Sequence, residues 1–206
     1  MVAERDARRG RGDQTRAAIL DATLERLATH GFAATSTRGI AARLGVSQGA
    51  IQYHFKTKVD MVEAALNELL DRIGPRRTAA GDPSDGSEID EWRAAERLME
   101  SLWRVHNLPI SRAVIELLSV ANSDDSVREK MSDIANRAQE MTLESGRALM
   151  PTLSRTPGFD EWLLQAIASM RGQVIISRLV VEGAVSLQWP AHRDILLSQL
   201  RAVQVG

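Results

Sequence analysis

Two short segments with apolar residues at helical spacing flank the turn Gly45-Val46-Ser47. A glycine directly after a helix favours the left-handed backbone that ends it, because glycine has no Cβ to clash. A serine directly before the next helix can accept a hydrogen bond from an N–H group of its first turn. This stretch therefore predicts two helices joined by a sharp turn. Apolar residues spaced to fill the region between them are Ile40, Leu44, Val46, Ile51 and Phe55.

The order of small and apolar residues around this turn is typical of a helix-turn-helix. Ala41 is small enough to let the two helices cross closely, Gly45 follows four residues later, and Ile51 stands six residues after the glycine. Two short helices with a glycine between them also occur in proteins that bind no DNA. The spacing alone leaves that alternative open.

The second of these helices would expose residues that suit the major groove of DNA. Glutamine can pair bidentately with adenine, and the small side chain of Ala50 fits against a thymine methyl group. Tyr53 and His54 are expected to reach phosphates, and the helix N-termini at Thr37 and Lys58 would present backbone N–H groups to phosphate. The predicted DNA-contacting residues are Thr37, Arg38, Ser47, Gln48, Gly49, Ala50, Gln52, Tyr53, His54, Lys56 and Lys58.

The rest of the chain also has helical periodicity, and no stretch alternates apolar and polar residues as a strand does. A first helix is expected from a cap at Asp13 to a stop at Gly31, and a fourth from Lys58 to Ile73. After a break rich in glycine, proline and aspartate, further helices are predicted at about 88–106, 109–121, 124–150, 158–186 and 190–204. The fold class is therefore all-α, with about nine helices.

Charge is divided unevenly along the chain. Residues 1–58 hold 10 Lys and Arg against 5 Asp and Glu, whereas residues 59–206 hold 16 against 22, although the net charge is only −1. A basic N-terminal part on an acidic remainder favours binding of nucleic acid at the basic part. Four arginines within residues 1–12 could follow a phosphate backbone or enter a minor groove. A solvated tail is the alternative.

The composition argues against several kinds of chemistry and location. The absence of cysteine removes disulfides, thiolate metal sites and cysteine nucleophiles. No histidine has a partner at H-E-x-x-H spacing, and there is no Gly-rich phosphate loop or G-x-S-x-G motif. We therefore expect no enzyme, metal or cofactor. No apolar run approaches the roughly 20 residues that span a bilayer, and the charged N-terminus is not a signal peptide, so we expect a cytoplasmic protein without a membrane partner.

Residues 14–62 resemble the TetR family of bacterial regulators. The family pattern is followed without gaps by Ile19-Leu20-Asp21-Ala22, Gly31-Phe32, Thr35-Ser36-Thr37-Arg38-Gly39-Ile40-Ala41, Gly45-Val46-Ser47 and His54-Phe55-Lys56-Thr57-Lys58. The sequence departs from the pattern at two positions that face DNA in this family. A basic residue is common where Gln48 stands, and a tyrosine is common where Gln52 stands. These departures imply a lost phosphate contact or a changed base preference.

The resemblance implies an all-α homodimer in which three N-terminal helices bind DNA and a fourth connects them to a ligand-binding and dimerisation domain. Most members are repressors released by a small molecule, so the implied partners are a double-stranded DNA operator and a small-molecule effector. The predicted parts of the chain are a flexible basic arm (1–12), a helix-turn-helix domain (13–57), a connecting helix (58–74) and a ligand-binding and dimerisation domain (88–206).

The last two predicted helices are the natural dimer pair. Residues 159–186 carry apolar residues on more than one face, which indicates several packing partners, and Ala168 and Gly172 would permit a close helix crossing. The final helix has one apolar stripe, formed by Ile195, Leu196, Leu200 and Val203. The alternative is that these residues form ordinary core within one chain.

Candidate ligand-binding residues lie in the helices predicted between 88 and 186, where methionine can adapt to varied ligand shapes. Ordinary core is the alternative for each of them. His106 is either a polar anchor or a helix end, and Arg171 and Arg178 could orient an anionic ligand, pair across the dimer or face solvent. The candidates are Met99, Leu102, Trp103, His106, Leu118, Met131, Met141, Met170 and Val174.

Three functions stay open on the sequence. The first is a ligand-responsive repressor, and the second is a DNA-binding regulator that has lost its effector or acts as an activator. The third is a helical partner-binding or scaffolding protein whose N-terminal helices no longer bind DNA, which only Gln48 and Gln52 favour.

Overall fold

α-Helices form almost all of the computed structural model, which describes residues 2–79, 88–177 and 188–205. Within these ranges there are nine α-helices, one short 3-10 helix (Leu153–Arg155) and no strand, which confirms the predicted all-α class. The α-helices are α1 (Val2–His30), α2 (Thr37–Leu44), α3 (Gln48–His54), α4 (Lys58–Ala79), α5 (Glu88–His106), α6 (Pro109–Ala121), α7 (Asp125–Leu149), α8 (Phe159–Ser177) and α9 (Trp189–Val205).

Most helix ends fall where sequence signals predict them. Gly31 directly follows α1 and has a φ of 78°, and Pro109 is the first residue of α6. Asp124 caps α7, because its Oδ1 accepts hydrogen bonds from the N–H groups of Ser126 and Val127 at 2.9 and 3.2 Å. Helix α8 is described as far as Ser177, so the predicted continuation to residue 186, with Arg178, lies outside the described residues.

Two predicted helix ends were wrong. Helix α1 begins at Val2, so Asp13 lies inside it and does not cap it, and residues 2–12 are helical in backbone rather than irregular. This segment contains two alanines and four arginines, which favour a helix without needing an apolar face. Helix α4 continues through Gly74 and Pro75 to Ala79. A proline removes one intrahelical hydrogen bond and kinks a helix, but it does not always end one.

The described chain divides into two compact units that do not follow its order. The first unit holds the residues up to Arg72 together with Pro109–Asn136, and the second holds Ile73–Leu108 and Arg137–Gly206. Helix α6 and the first part of α7 therefore belong with the predicted DNA-binding helices. Nothing in the local sequence pattern indicates this grouping.

Two apolar clusters hold the first unit together. One joins α1, α2 and α3 to the start of α4 through residues such as Ile19, Ile40 and Met61. The other buries Leu27 of α1 and Val62 of α4 in one cluster with residues of α6 and α7. Its buried members on those two helices are Ala113, Leu117, Ala121, Val127, Met131 and Ile134.

The second unit is built around α5, α8 and α9. Leu196 and Leu200 of α9 are buried in its core, and the indole N–H of Trp162 donates to the carbonyl oxygen of Leu196 at 2.8 Å. These two leucines therefore form core within their own chain, which is the alternative interpretation of the predicted stripe. Ile195 is 46% exposed. Buried Glu91 closes the turn after α7 by accepting hydrogen bonds from the N–H groups of Thr152 and Leu153.

An ion-pair network fixes the start of α4 within the first unit. The ammonium group of Lys130 on α7 lies 3.0 Å from Asp60 Oδ1 and 2.5 Å from Glu63 Oε2. Asp60 also accepts the N–H of Thr57, and Thr57 Oγ1 accepts the N–H of Asp60, as in a capping box. Burial alone would raise the pKa of Asp60, but the hydrogen bonds from Lys130 and Thr57 outweigh it and lower the pKa. Hydrogen bonds to Glu63 and Asp60 raise the pKa of Lys130.

The Lys130→Met substitution should lower the free energy of unfolding by about 1–2 kcal/mol, because two partly buried carboxylates lose their shared cation. A lowered Asp60 pKa stabilises the fold at neutral pH, and this contribution is lost as the pH falls below about 4. The raised Lys130 pKa stabilises it until the pH exceeds about 10. The difference between wild type and variant should therefore be largest between these limits and should shrink in acid.

Urea unfolding at pH 7 and pH 3 measures this difference. Lys56→Met is the control, because Lys56 is an exposed lysine and its loss should change stability by less than about 0.5 kcal/mol. Equal stability of the Lys130 variant and wild type at pH 7 would show that the network contributes nothing.

Candidate nucleic-acid interface

The turn between α2 and α3 is fixed by three local features, of which the sequence predicts the first and the last. Gly45 adopts the left-handed conformation, with φ 65° and ψ 26°. Its neighbour Val46 donates its N–H to the carbonyl oxygen of Ala41 at 3.1 Å. Ser47 then caps α3, because its Oγ accepts the N–H of Ala50 at 3.1 Å. Ser36 caps α2 in the same way through the N–H of Gly39. The helix-turn-helix geometry is thus set by caps at both helices.

Burial of one face orients α3. Ile51 is fully buried and Phe55, directly after the helix, is almost fully buried, both in the cluster that includes Ile40. The guanidinium of Arg16 on α1 lies 5.7 Å from the centre of the Phe55 ring. The opposite face of α3 is consequently turned away from the protein.

The outward face carries most of the residues predicted to contact DNA. Gln48, Gly49 and Gln52 are exposed, and Tyr53 is 85% exposed although it is large and aromatic. Ala50 is half-buried, and His54 is half-buried with its ring edge-on to Tyr53 at a centroid distance of 5.1 Å. Arg38 on α2 and Lys56 after α3 are exposed. Thr37 is the first residue of α2 and is half-buried. Together they form a polar surface with exposed cationic side chains.

Lys58 differs from the other predicted cations. Its ammonium group lies 3.8 Å from the centre of the Phe32 ring and 3.5 Å from the carbonyl oxygen of Ala33. Burial lowers the pKa of Lys58, and the carboxylate of Glu116 opposes that shift without cancelling it. The side chain thus packs on the turn between α1 and α2. A contact to DNA from this position would come most directly from the N-terminus of α4.

The nine predicted ligand-binding residues fall into both units. Met99, Leu102, Met170 and Val174 are buried in α5 and α8 of the second unit, and Met141 is half-buried on α7.

Trp103 and His106 lie on α5 in the second unit, and each contacts another group of that unit. The Trp103 ring stacks on that of Trp189 at a centroid distance of 4.5 Å. His106 Nδ1 lies 2.8 Å from the carbonyl oxygen of Leu102 at the end of the helix.

Leu118 and Met131 belong to the first unit. Met131 is buried with Leu27 and Val62, and Leu118 is half-buried on α6. The nine residues are therefore divided between the two units, and their role in binding a ligand stays a prediction.

Sequence reasoning missed a buried polar group on α9. His192 is almost fully buried, its Nε2 lies 2.6 Å from Ser169 Oγ, and its Nδ1 has no hydrogen-bond partner among the residues that the structure describes. Burial lowers the pKa of His192, so the ring is neutral at pH 7. A lone histidine between Ala191 and Arg193 carries no sequence signal that would have distinguished it.

The described ranges contain no group of three or more His, Cys, Asp or Glu side chains that could hold a metal ion. Within the same described residues, no helix is both long and apolar enough to cross a membrane.

The fold and this surface define a helix-turn-helix DNA-binding protein. The family model for bacterial regulatory proteins of the tetR family matches residues 19–65. The HTH-type transcriptional repressor Rv3405c of Mycobacterium tuberculosis is 34% identical over 156 residues, which cover 72% of this chain and 80% of that protein. The chain therefore belongs to the TetR family and is a DNA-binding transcriptional regulator.

Solved structures share the fold. A protein from Rhodococcus sp. assigned to the TetR family has a TM-score of 0.66 at 23% identity, covering 93% of this chain and 99% of that one. A protein assigned as a transcriptional regulator from Saccharomonospora viridis, solved with choline, has a TM-score of 0.63 at 21% identity, covering 92% and 95%.

The Tyr53→Ala substitution should weaken operator binding about tenfold, because a hydrogen bond to a charged group is worth on the order of 1.5 kcal/mol. Tyr53→Phe should weaken operator binding by nearly as much, because it removes the hydroxyl group that makes this hydrogen bond. The thermal unfolding midpoint should not change, because the side chain is outside the core. Fluorescence anisotropy and thermal unfolding measure the two quantities, and full affinity in the alanine variant would contradict the role of Tyr53.

Proposed function

We propose that this protein is a repressor that leaves its operator when a small molecule binds. The observation that carries the proposal is the exposed, polar face of α3 on a helix whose opposite face is buried at Ile51. Tyr53 exposes a large aromatic ring to water, which is unfavourable, and binding to a partner would remove that exposure. The name of the similar Mycobacterium tuberculosis protein supports repression as the mode of action.

In this proposal α3 enters the major groove. Gln48, Ala50 and Gln52 read base edges, while Tyr53 and His54 contact phosphates. The N-terminus of α2 at Thr37, with Arg38, and the N-terminus of α4 at Lys58 add phosphate contacts, as does Lys56. Ser47 and Gly49 have small side chains or none, which would let the turn approach the DNA backbone closely.

We further propose a homodimer formed by α8 and α9. Helix α8 exposes Gln165, Ala168, Gly172 and Ile175 along one face, and Ile176 beside it is 57% exposed. Helix α9 exposes Ala191, Ile195, Ser198 and Ala202 at a similar spacing. Faces of small and apolar residues let helices cross closely, and a second copy would cover them by twofold symmetry. A four-helix interface is the arrangement that these two faces favour.

Such a dimer would place its two recognition helices in successive major grooves, about 34–36 Å apart. A ligand that binds better to a conformation with another spacing would shift the population away from DNA. Helix α4 is the proposed lever. The choline complex of the Saccharomonospora viridis protein supports a small-molecule effector. A regulator of chromosomal DNA acts in the cytoplasm, which is the location we propose, and we assign it no catalytic activity.

Fluorescence anisotropy tests DNA binding directly, with a labelled duplex from the region upstream of the protein's own gene and an unrelated duplex as the control. Tight binding to the first duplex alone is expected, and it should weaken roughly 100-fold between 50 and 200 mM salt if about four phosphates are contacted. A small-molecule library added to the complex should contain compounds that release the duplex. Absence of binding to either duplex at low salt would favour the scaffolding alternative, to which Gln48 and Gln52 point.

The Gly172→Leu substitution should weaken the dimer at least tenfold, because the added side chain would separate the crossing helices. Among the described residues nothing lies within 4 Å of a Cβ built at this glycine, so the fold of one chain should tolerate the change. Gly12→Leu is a matched control, since Gly12 is also a helical glycine with open space around it. Sedimentation velocity over a dilution series measures the effect, and an unchanged dimer in the Gly172 variant would argue against this interface.

A further inference from the structure

A carboxylate from α6 closes the C-terminal end of α1. Helix α1 ends at His30, and Gly31 turns the chain while donating its N–H to the carbonyl oxygen of Leu27. Because Gly31 takes the Leu27 carbonyl in this single-bond αL motif, the next N–H, that of Phe32, does not pair with that carbonyl as it would in a Schellman motif. It donates instead to Glu116 Oε2 at 2.7 Å, from a residue 84 positions along the chain.

Glycine at position 31 is what allows this approach. A Cβ built on Gly31 would lie 2.7 Å from both carboxylate oxygens of Glu116. Gly45, the other glycine of the first unit that ends a helix with a positive φ, has nothing within 4 Å of its Cβ position among the described residues. Gly31 thus serves both the left-handed turn and the close contact with α6, whereas Gly45 serves the turn alone.

The turn that Glu116 contacts is fixed at several further points. Thr35 Oγ1 donates to the carbonyl oxygen of Gly31 at 2.8 Å, and Arg26 donates to that of Ala34 at 3.3 Å. The Lys58 ammonium covers the Phe32 ring, as described above. Ser36, the cap of α2, follows directly. The segment from residue 31 to 36 therefore forms a tight unit that fixes where α2 begins.

We propose that Glu116 is a positioning residue for the DNA-binding helices: through the N–H of Phe32, α6 holds the turn from which α2 starts. This gives α6 a link to α2 and α3 that is separate from their connection through α4. A movement of α6 would then shift the recognition helix directly. The positioning role of Glu116 does not depend on the proposed function. Its use in ligand-controlled release of DNA does rest on that function.

Amide hydrogen exchange with Glu116→Ala and Glu116→Gln tests the link without DNA. The alanine variant should exchange at least fivefold faster at Phe32 and also in α2 and α3, and the glutamine variant should lie between it and wild type, because its amide oxygen can still accept the bond. Glu129→Ala, which removes an exposed glutamate from α7, should leave these rates unchanged. Faster exchange at Phe32 alone would show a local cap and overturn the positioning role, as would wild-type rates.

A coupling experiment on operator affinity gives the second measurement. Gly31→Ala and Glu116→Ala should not act independently, because removing the carboxylate relieves the collision with the new Cβ; the double variant should bind at least fivefold better than the product of the single effects predicts. Gly45→Ala combined with Glu116→Ala should follow the product within twofold. Independent effects in both pairs would overturn the proposal. If wild type binds no operator, the proposed function fails, and the exchange rates still decide the role of Glu116.

Discussion

Helix α3 has only seven residues, and a helix of that length does not persist alone in water. It exists because Ile51 and Phe55 are buried against α1 and α2 and because Ser47 caps its first turn. The same packing decides which residues face outward. DNA recognition in the proposed mode therefore depends on a small apolar cluster that fixes the orientation of one short helix about its axis.

Longer-range contacts extend that support within the first unit. The apolar cluster around Leu27 and Val62 joins α1 and α4 to α6 and α7. Two polar contacts fix specific positions within this unit. One joins Lys130 to the first turn of α4, and the other joins Glu116 to the turn after α1. The predicted DNA-binding helices thus share one folded unit with α6 and the first part of α7. This arrangement offers a physical route by which a change beyond the helix-turn-helix can reach it.

Features set by local chemistry could be predicted from the sequence. Gly45 and Ser47 define their turn by backbone freedom and side-chain capping, and Pro109 and Asp124 mark helix starts for similar local reasons. The exposed face of α3 followed from the apolar spacing of Ile51 and Phe55.

Features set by distant contacts could not be predicted in this way. The division of the apolar residues of α9 into buried Leu196 and exposed Ile195 depends on where α5 and α8 lie. The bond between Glu116 and Phe32 joins residues that no periodicity relates, and the packing of Lys58 on Phe32 likewise depends on the tertiary fold. The start of α1 at Val2 was missed because apolar periodicity reports the face a helix buries and not the length of the helix.

NMR spectroscopy of the labelled protein, titrated with its operator duplex, tests whether α3 is the surface that binds DNA. We expect the largest shifts of amide signals in Gln48–His54 and at the N-terminus of α2, with small shifts in α8 and α9. Shifts concentrated outside the helix-turn-helix, with α3 unchanged at saturation, would contradict this role of α3.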